Sequence, residues 1–459
     1  MNAISARLAA LVMAIGAASA WGDEPGARQI SIDASLTVGV LRPFNGVQAE
    51  DAQSSAFYKM ARIDLVRVPD RTGAGDIDAI FPDMRADAEN PKSYNFAAAD
   101  RLLASIKSSG AEPLFRIGRS AGAGAEPPSD PDKWAQIVRH VVLHYNAKWA
   151  KGFRYGIRYW QVWNAPDSQQ SWSGTAADYY RLYEKTALAI QAADPAAQVG
   201  GPGLSEPGIE GDYREKFIDF VRLNRLPLNF FSWHCYAVDS NDPYVFVTIA
   251  RQLRTILDAR GFGSTKNLLG EWNSDPAELD VSNAARAAFA VSSLIYMLGG
   301  PIDAQAYRRA AAPGRPGNST ADAVESALGA FGALKDTPVL IPSSGGDDSG
   351  FAVVAGRSRD NRLVQILIGN YQVASKYPHP RDKRDTALPE RRTLQYSNNG
   401  GYDATVSLPT PGKYQVKRYR ISDSNNFALQ DQRIETGPSI RLQSALPPPA
   451  VEFIVISAK

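Results

Sequence analysis

Polar groups that can do chemistry lie at the ends of several short apolar runs. One run ends at Glu271–Asn273, another at Trp163–Asp167, a third at Ser232–Tyr236 and an early one at Arg67–Asp70. Most of these ends place a carboxylate, amide or imidazole beside aromatic side chains. Sugars need both, because their ring faces stack on aromatic rings and their hydroxyls need hydrogen-bond partners. The run ends therefore indicate a carbohydrate site, although ordinary core packing is the alternative for each tryptophan taken singly.

The elements that must position these groups alternate between strands and helices. Stretches such as residues 134–146 and 176–193 carry apolar residues at three- and four-residue spacing, which is typical of helices with one buried face. Strands that alternate with helices pair in parallel through right-handed crossovers. The predicted strands are 36–41, 65–68, 112–117, 157–163, 198–201, 230–236, 268–272 and 302–307.

Eight such units favour a closed barrel over an open sheet. We therefore predict an α/β fold with a (β/α)8 TIM barrel over residues 30–336. Active sites in these barrels lie at the carboxyl ends of the strands, which is where the polar run ends fall. After residue 337 the helical spacing disappears and short strands alternate with turn residues. This pattern predicts a C-terminal antiparallel β-sandwich over residues 337–459, with turns at 360–361 and 411–412.

The first twenty residues have the features of a signal peptide. Arg7 precedes an apolar run at 8–17, and small residues follow at 18–20. The run is too short for a membrane span, which needs about 20 apolar residues. We expect an exported protein, periplasmic or secreted, without a transmembrane anchor.

Composition excludes several other classes of function. A formal net charge of +2 provides no general field for nucleic acid. Cys235 is the single cysteine and the four histidines are scattered, so we predict no internal disulfide and no metal site. No phosphate-binding glycine loop or cofactor lysine stands out, and we predict no cofactor. The sequence leaves the oligomeric state undetermined.

The motifs resemble those of the retaining β-glycosidases of glycoside hydrolase family 39, in clan A. Glu271–Asn273 matches the Glu-Trp-Asn motif of the nucleophile in full. Trp163–Pro166 matches the acid/base motif Trp-Asn-Glu-Pro except that position 165 is alanine. The similarity extends to residues 93–96, to Ser232–Tyr236 and to the C-terminal β domain, and so covers most of the chain. It implies cleavage of β-glycosidic bonds in a poly- or oligosaccharide.

The resemblance also implies roles for individual residues. Glu271 is the expected nucleophile, and Ala165 occupies the position of the acid/base residue. In a retaining enzyme the carboxyl groups at these two positions lie about 5 Å apart and perform a double displacement. Asn164 is expected to donate to the sugar 2-hydroxyl. For His234 the alternative is a hydrogen-bonded core residue. The remaining predicted substrate-binding or supporting residues are Arg67 on the barrel floor beside Glu271, Asp70, Tyr236 and the aromatic residues Trp163, Trp272 and Tyr307.

Ala165 leaves three explanations open. A methyl group donates no proton, and loss of general acid catalysis costs a factor of about 10² to 10⁴. The alanine was introduced in place of a glutamate, or the protein is a natural pseudo-enzyme that only binds glycans, or Asp167 substitutes as the acid.

Other classes of protein fit the sequence less well. The main rival is a non-catalytic carbohydrate-binding protein. A barrel with a purely structural role leaves Glu271 unexplained, and a barrel enzyme of unrelated chemistry lacks its motifs. Among substrates, an extracellular or periplasmic exopolysaccharide is slightly favoured over xylan. Loop shapes decide between endo and exo action, and the sequence does not give them.

Overall fold

Two sheets organise the protein in the computed structural model. It describes residues 26–49, 54–69, 73–120, 125–237, 242–274, 282–309, 323–373 and 401–459. One sheet is a closed barrel of eight parallel strands and the other is mostly antiparallel. The predicted TIM barrel with an antiparallel β domain is thereby confirmed. The predicted signal peptide lies outside the described residues.

The described strands are, in chain order, β1 Arg28–Asp33, β2 Gly39–Val40, β3 Gly46–Gln48, β4 Leu65–Arg67, β5 Glu112–Ile117, β6 Tyr159–Val162, β7 Gln198–Leu204, β8 Phe230–Tyr236, β9 Lys266–Asn273, β10 Ala304–Tyr307, β11 Val339–Leu340, β12 Phe351–Arg357, β13 Leu363–Asn370, β14 Tyr402–Ser422, β15 Asn425–Ser444 and β16 Ala450–Ala458.

The described α-helices are α1 Ser55–Met60, α2 Ile77–Ile80, α3 Ala97–Ser108, α4 Pro131–Ala147, α5 Ala176–Ala193, α6 Glu206–Glu210, α7 Tyr213–Leu223, α8 Val245–Ala259, α9 Asn283–Gly299 and α10 Ala323–Ala333. Short 3₁₀ turns occupy Pro91–Ser93, Trp149–Lys151 and Leu334–Asp336. None of the helices in the described ranges is long and apolar enough to cross a bilayer.

Strands β3 to β10 close the barrel, with β10 paired to β3. Seven of its strands fall on the predicted runs. The predicted first strand at 36–41 is wrong, because that run contributes only β2, which joins the other sheet. Barrel strands are covered on both faces, whereas Leu36 and Val40 are 55% and 63% exposed. The true first strand contains Gly46, where an added Cβ would lie 1.8 Å from the Gln305 carbonyl oxygen of β10. Glycine therefore permits the closure.

The N-terminal segment belongs to the β domain. Strand β1 pairs in parallel with the first half of β14, and Ile30 and Ile32 are buried beneath it. The predicted start of the barrel domain at residue 30 is therefore too early.

Side-chain caps fix the starts of the long helices α4, α5 and α9. Thr175 and Asp178 form a reciprocal capping box at the start of α5, which satisfies amide groups that the first turn leaves without partners. Its buried face carries Tyr179, Leu182 and Tyr183 toward the barrel wall. Such anchored helices fix the loops at the carboxyl ends of the strands.

Strand β14 lies next to β1, β15 and β16 in the second sheet. Its first half pairs with β1 and its second half with β16, with a shift of register between Ser407 and Gly412. Pro411 and Gly412 thus lie inside one strand, and the predicted turn there is wrong. The sequence also did not predict β15, in which only two of the 20 residues are buried. The buried core of this sheet includes Ile32, Ile366, Val406, Ile440 and Ile454.

A buried carboxylate supports this domain and provides a test of it. Glu452 is fully buried and accepts hydrogen bonds from the Tyr402 hydroxyl and from Arg420 at 2.8 Å. We expect Glu452→Ala to destabilise the protein by about 3 kcal/mol, because removing one partner leaves a buried charge unbalanced. The measurement is the midpoint of urea unfolding followed by circular dichroism. The control is Glu435→Ala, which removes one of the two carboxylate partners of Arg433 in a more exposed ion pair and should cost less than about 1 kcal/mol. Equal shifts for the two variants would contradict this role.

Candidate active site

Glu271 lies near the carboxyl end of β9 and is 6% exposed. A β-bulge precedes it, because Trp233 pairs with Leu269 while the next residue, His234, pairs with Glu271 and leaves Gly270 as the extra residue. Bulges next to active sites turn a side chain to a new direction. Here the turned side chain meets groups from across the barrel.

Four hydrogen-bond donors hold the Glu271 carboxylate. Gln48 at the end of β3 donates to Oε2 at 2.7 Å, and Arg67 of β4 donates to the same oxygen at 3.3 Å. Arg308, directly after β10, donates to Oε1 at 2.6 Å. The Tyr236 hydroxyl at the end of β8 also donates to Oε1. The carboxyl ends of strands far apart in sequence therefore converge on one carboxylate.

The surroundings keep this carboxylate ionised. Burial by itself raises the pKa of Glu271, but the charges of His234, Arg67 and Arg308 and the hydrogen bond from Tyr236 outweigh it and hold the pKa far below its ordinary value of 4.5. Burial and the adjacent carboxylate raise the pKa of Tyr236 well above its ordinary range. The tyrosine thus stays a donor and Glu271 stays an acceptor across ordinary pH.

Arg67 joins the nucleophile position to the end of the fourth barrel strand. Its Nη1 contacts Glu271, its Nη2 donates to Asn164 Oδ1 and its Nε donates to Gln161 Oε1 at 3.1 Å. One guanidinium therefore binds both Glu271 and the residue that precedes Ala165. Arg67 itself is completely buried, as expected for a group on the barrel floor.

Ala165 occupies a fixed backbone position. Its amide donates to the Gly203 carbonyl at 2.8 Å, and its carbonyl accepts from the Ser168 amide at 3.0 Å. Its φ of 46° is in the left-handed region, which costs a residue with a Cβ about 1 kcal/mol. The loop therefore holds position 165 in a defined place, but its methyl group offers no proton.

Asp167 is tied to a neighbouring loop. Its Oδ1 accepts from the Ser205 amide at 3.1 Å, and its Oδ2 accepts from the Ser205 hydroxyl and from the Gly208 amide at 3.0 Å. Burial raises its pKa above the ordinary value despite these bonds. Both oxygens serve the start of α6, so the geometry gives Asp167 a structural role and does not support the predicted role of substitute acid.

The aromatic residues expected to stack on sugar are instead in the core. Trp272 is fully buried, donates from its indole to Gln305 Oε1 at 2.6 Å and packs against Tyr307 with ring centroids 4.9 Å apart. Trp163 is 1% exposed and packs against Trp172. Side chains alternate across a strand, so the neighbour of an inward Glu271 points outward into the helix layer. The structure therefore places these three residues in the core and does not support their predicted contact with substrate.

Three of the other predicted residues lie near Glu271, and one lies outside the described residues. His234 is 6% exposed, pairs in register with Glu271 and adds to the charges around it. Tyr236 holds Glu271 directly, and Asn164 reaches it through Arg67. Asp70 lies outside the described residues.

Sequence reasoning missed Gln48 and Arg308. Gln48 was missed because its strand was assigned to the wrong run, and Arg308 because it belongs to no motif. The available signal is that Gln48 ends a barrel strand and Arg308 follows one, at the end where active sites form. The described residues contain no group of three or more His, Cys, Asp or Glu side chains that could hold a metal ion.

A TIM barrel with a buried, ionised glutamate at the end of its seventh strand defines a class of barrel enzymes, and comparison with known sequences specifies the family. The model of glycosyl hydrolases family 39 matches residues 28–283, more than half of the chain. The chain belongs to this family. A β-xylosidase of Geobacillus stearothermophilus is 31% identical over 176 residues, 34% of this chain and 33% of the relative. A β-xylosidase of Caldicellulosiruptor saccharolyticus is 27% identical over 195 residues, 39% and 38% of the two chains. The matches thus span about a third of the length of these relatives.

Solved structures resemble the whole architecture. A glucosidase from Croceicoccus marinus superposes with a TM-score of 0.84 at 30% identity, covering 94% of this chain and 99% of the other. A monomeric β-xylosidase from Caulobacter crescentus gives a TM-score of 0.68 at 17% identity, covering 94% and 100%, which shows a shared fold.

The charged groups around Glu271 predict how the stability of the protein depends on pH. The pKa of Glu271 is lower in the folded protein than in the unfolded chain, so its contribution to stability is present above about pH 5 and is lost as the pH falls. We therefore expect Glu271→Gln to be less stable than the parent at pH 7, with a difference that shrinks steadily toward pH 3. Urea unfolding of both proteins at several pH values measures this. A difference that stays constant or grows on acidification would contradict it.

Proposed function

We propose that the chain is a retaining β-glycosidase in which Glu271 is the nucleophile. The observation that carries this proposal is the carboxylate held ionised by Gln48, Arg67, Tyr236 and Arg308 at the carboxyl end of the barrel. An ionised, oriented carboxylate is what attack on an anomeric carbon requires. Membership of glycosyl hydrolases family 39 supports the same reaction class.

In the proposed first step, an oxygen of Glu271 forms a bond to the anomeric carbon while the bond to the leaving oxygen breaks. The leaving oxygen takes the electron pair and requires a proton unless it is already a stable anion. The Ala165 methyl group cannot supply this proton, and the Asp167 carboxylate is hydrogen-bonded to Ser205 and Gly208. In the second step water forms a bond to the anomeric carbon, the bond to Glu271 breaks and the carboxylate is regenerated; the proton that water loses passes to solvent, and the sugar leaves with retained configuration.

The proposal therefore includes an impaired form of the enzyme. Glycosylation of Glu271 by ordinary glycosides is expected to be slow, because general acid catalysis contributes a factor of about 10² to 10⁴. The rest of the nucleophile site is intact in the described residues.

Restoring the acid provides the first test. We expect Ala165→Glu to raise kcat/KM on an ordinary β-glycoside by about 10² to 10⁴, since the new carboxyl protonates the leaving oxygen. Steady-state hydrolysis of β-1,4-linked oligosaccharides measures this. Ala165→Gln has the same shape without an exchangeable carboxyl proton and should gain nothing, and Glu271→Gln in the restored protein should abolish turnover. Equal rates for the glutamate and glutamine variants would contradict the proposal.

Activated substrates test the unmodified chain. A 2,4-dinitrophenyl β-glycoside has a leaving group that needs little protonation, so we expect a burst of dinitrophenol and a covalent sugar on Glu271. Added azide should speed release, because it attacks the intermediate without needing a general base. Rapid-mixing absorbance and intact-protein mass spectrometry give the two readouts. Absence of both burst and adduct across several sugars would leave no support for a nucleophile.

A second candidate function is non-catalytic glycan binding, which the alanine at position 165 favours. It predicts tight binding of an oligosaccharide in calorimetry together with no turnover by Ala165→Glu.

For the substrate, we propose an extracellular or periplasmic glycan, with exopolysaccharide slightly preferred to xylan. The N-terminal pattern supports export. The two curated relatives are β-xylosidases, which supports a β-linked sugar. Digestion of a glycan panel, followed by product analysis, tests the choice.

A further inference from the structure

The His234 side chain faces the interior of the barrel next to Glu271. Its neighbours in β8, Trp233 and Cys235, are buried in the large apolar core beneath the helices, so the alternation of side chains along the strand turns the imidazole inward. His234 pairs in register with Glu271 of β9 and is 6% exposed. Burial raises the pKa of Glu271, and the positive charge of His234 is the largest of the contributions that lower it. The imidazole is therefore a charged group directly beside the nucleophile position.

The Nε2 edge of this imidazole reaches the strand that holds Ala165 in place. A Cβ added to Gly203 of β7 would lie 3.3 Å from His234 Nε2. The carbonyl oxygen of the same glycine accepts a hydrogen bond from the Ala165 amide at 2.8 Å. His234 thus pairs with Glu271 through its backbone, and its ring lies against the residue that fixes Ala165. The imidazole lies between the nucleophile and the loop where the acid is expected.

Glycine at position 203 makes this placement of the imidazole possible. Its φ of 69° is in the left-handed region, which glycine adopts without strain. A side chain at 203 would also meet Gln161 Nε2 at 2.6 Å, and that amide is held in place by its hydrogen bond to the Trp163 carbonyl at 2.8 Å. The backbone of β7 therefore provides the space that the His234 ring occupies beside the loop of Ala165.

Proton donation to a leaving oxygen needs a group that gives up a proton near neutral pH. Among the groups that the described structure places around Glu271, the guanidiniums of Arg67 and Arg308 keep their protons at any ordinary pH. The pKa of Tyr236 is raised well above its ordinary range, mainly by burial. Histidine is the side chain that exchanges a proton near neutral pH. The chemistry of these groups therefore favours the imidazole as the donor.

We propose that His234 donates the proton to the leaving oxygen, in place of the carboxyl group that position 165 lacks. An oxygen of Glu271 forms a bond to the anomeric carbon, and the bond from that carbon to the leaving oxygen breaks with its electron pair on the oxygen. The Nε2 proton passes to this oxygen, so the leaving group departs as a neutral alcohol and the imidazole becomes neutral. The ring regains a proton from solvent, which receives one from water in the second step. This inference rests on the proposed glycosidase function and names the acid of its first step.

The change in charge on Glu271 assists this transfer. A neighbouring carboxylate favours the protonated imidazole, and formation of the glycosyl ester removes that negative charge. The ring therefore binds its proton less tightly at the step in which the leaving oxygen needs it. Before that step the same carboxylate makes His234 a weaker acid than a glutamic acid side chain. The enzyme consequently remains slower than its Ala165→Glu variant, as the proposed function expects.

The dependence of the rate on the leaving group tests this role of His234. The substrates are phenyl and 2,4-dinitrophenyl β-D-xylosides, with the corresponding β-D-glucosides, and steady-state hydrolysis gives kcat/KM. We expect His234→Gln to lower kcat/KM for the phenyl glycoside at least about 10-fold more than for the dinitrophenyl glycoside, since dinitrophenolate leaves without a proton. A well-placed general acid contributes about 10² to 10⁴. The ratio of the two substrates cancels any effect of the substitution on Glu271 itself.

The Ala165→Glu variant separates proton donation from positioning. There the new carboxyl protonates the leaving oxygen, so adding His234→Gln should leave the ratio between the two substrates nearly unchanged. The matched control in the unmodified chain is His140→Gln, which removes an imidazole bound to Glu89 and to the Gln136 carbonyl on α4 and should keep the full ratio. If His234→Gln slows both glycosides by one factor, or lowers the ratio equally in both backgrounds, His234 only positions Glu271 and the inference is overturned.

Labelling of Glu271 by the dinitrophenyl glycosides distinguishes this inference from the proposed function. Intact-protein mass spectrometry follows the covalent adduct in the unmodified chain and in His234→Gln. Labelling of both proteins, with a ratio that falls only where position 165 is alanine, supports the inference. Labelling of both with an unchanged ratio supports the glycosidase and overturns His234 as its acid. Loss of labelling in His234→Gln alone assigns the residue to positioning and also overturns it. No labelling of the unmodified chain overturns the glycosidase and this inference together.

Discussion

A carboxylate can stay ionised inside a protein only where other groups replace the water around it. Glu271 meets this condition through donors that belong to β3, β4, β8 and the residue after β10. These elements come together only because the sheet closes between β10 and β3. The Glu271 carboxylate can therefore stay ionised only in the closed barrel. Local features serve it, among them the close approach at Gly46 and the bulge that turns Glu271 inward.

The same constraint explains the distribution of the aromatic residues. The inner face at the barrel end is occupied by charged and amide side chains that hold Glu271. Trp163, Trp272 and Tyr307 occupy the outer face, where they pack beneath the helices. Their contribution is rigidity, since large aromatic rings bury much apolar area and fix the strand ends. The site is thus polar inside and supported by an apolar layer behind it.

The side chain at position 165, unlike that of Glu271, is not needed to hold the site together. The backbone around it is held by Gly203 and Ser168, and Asn164 is bound to Arg67. These contacts depend on the main chain and on the neighbouring asparagine, so none requires a glutamate side chain at 165. The site consequently retains its shape while lacking a proton donor there. The residue at position 165 therefore decides whether a proton donor is present there without changing the fold of the loop.

The sequence by itself determined the alternation of strands and helices, seven of the eight barrel strands, and the motif positions Glu271 and Ala165. Periodicity carries this information because each element must bury one face or both, whatever its partners are. Tertiary structure alone decided the rest. Strand β3 has three residues, too few for a pattern, and only two of the 20 residues of β15 are buried, so burial left little signal in it. Gln48 and Glu271 are separated by 223 positions, and no local pattern encodes a contact between groups so far apart in the chain. Which face Trp272 occupies, which loop binds Asp167 and where the charge of Arg308 falls all depend on pairing between strands, and that pairing exists only once the barrel has closed.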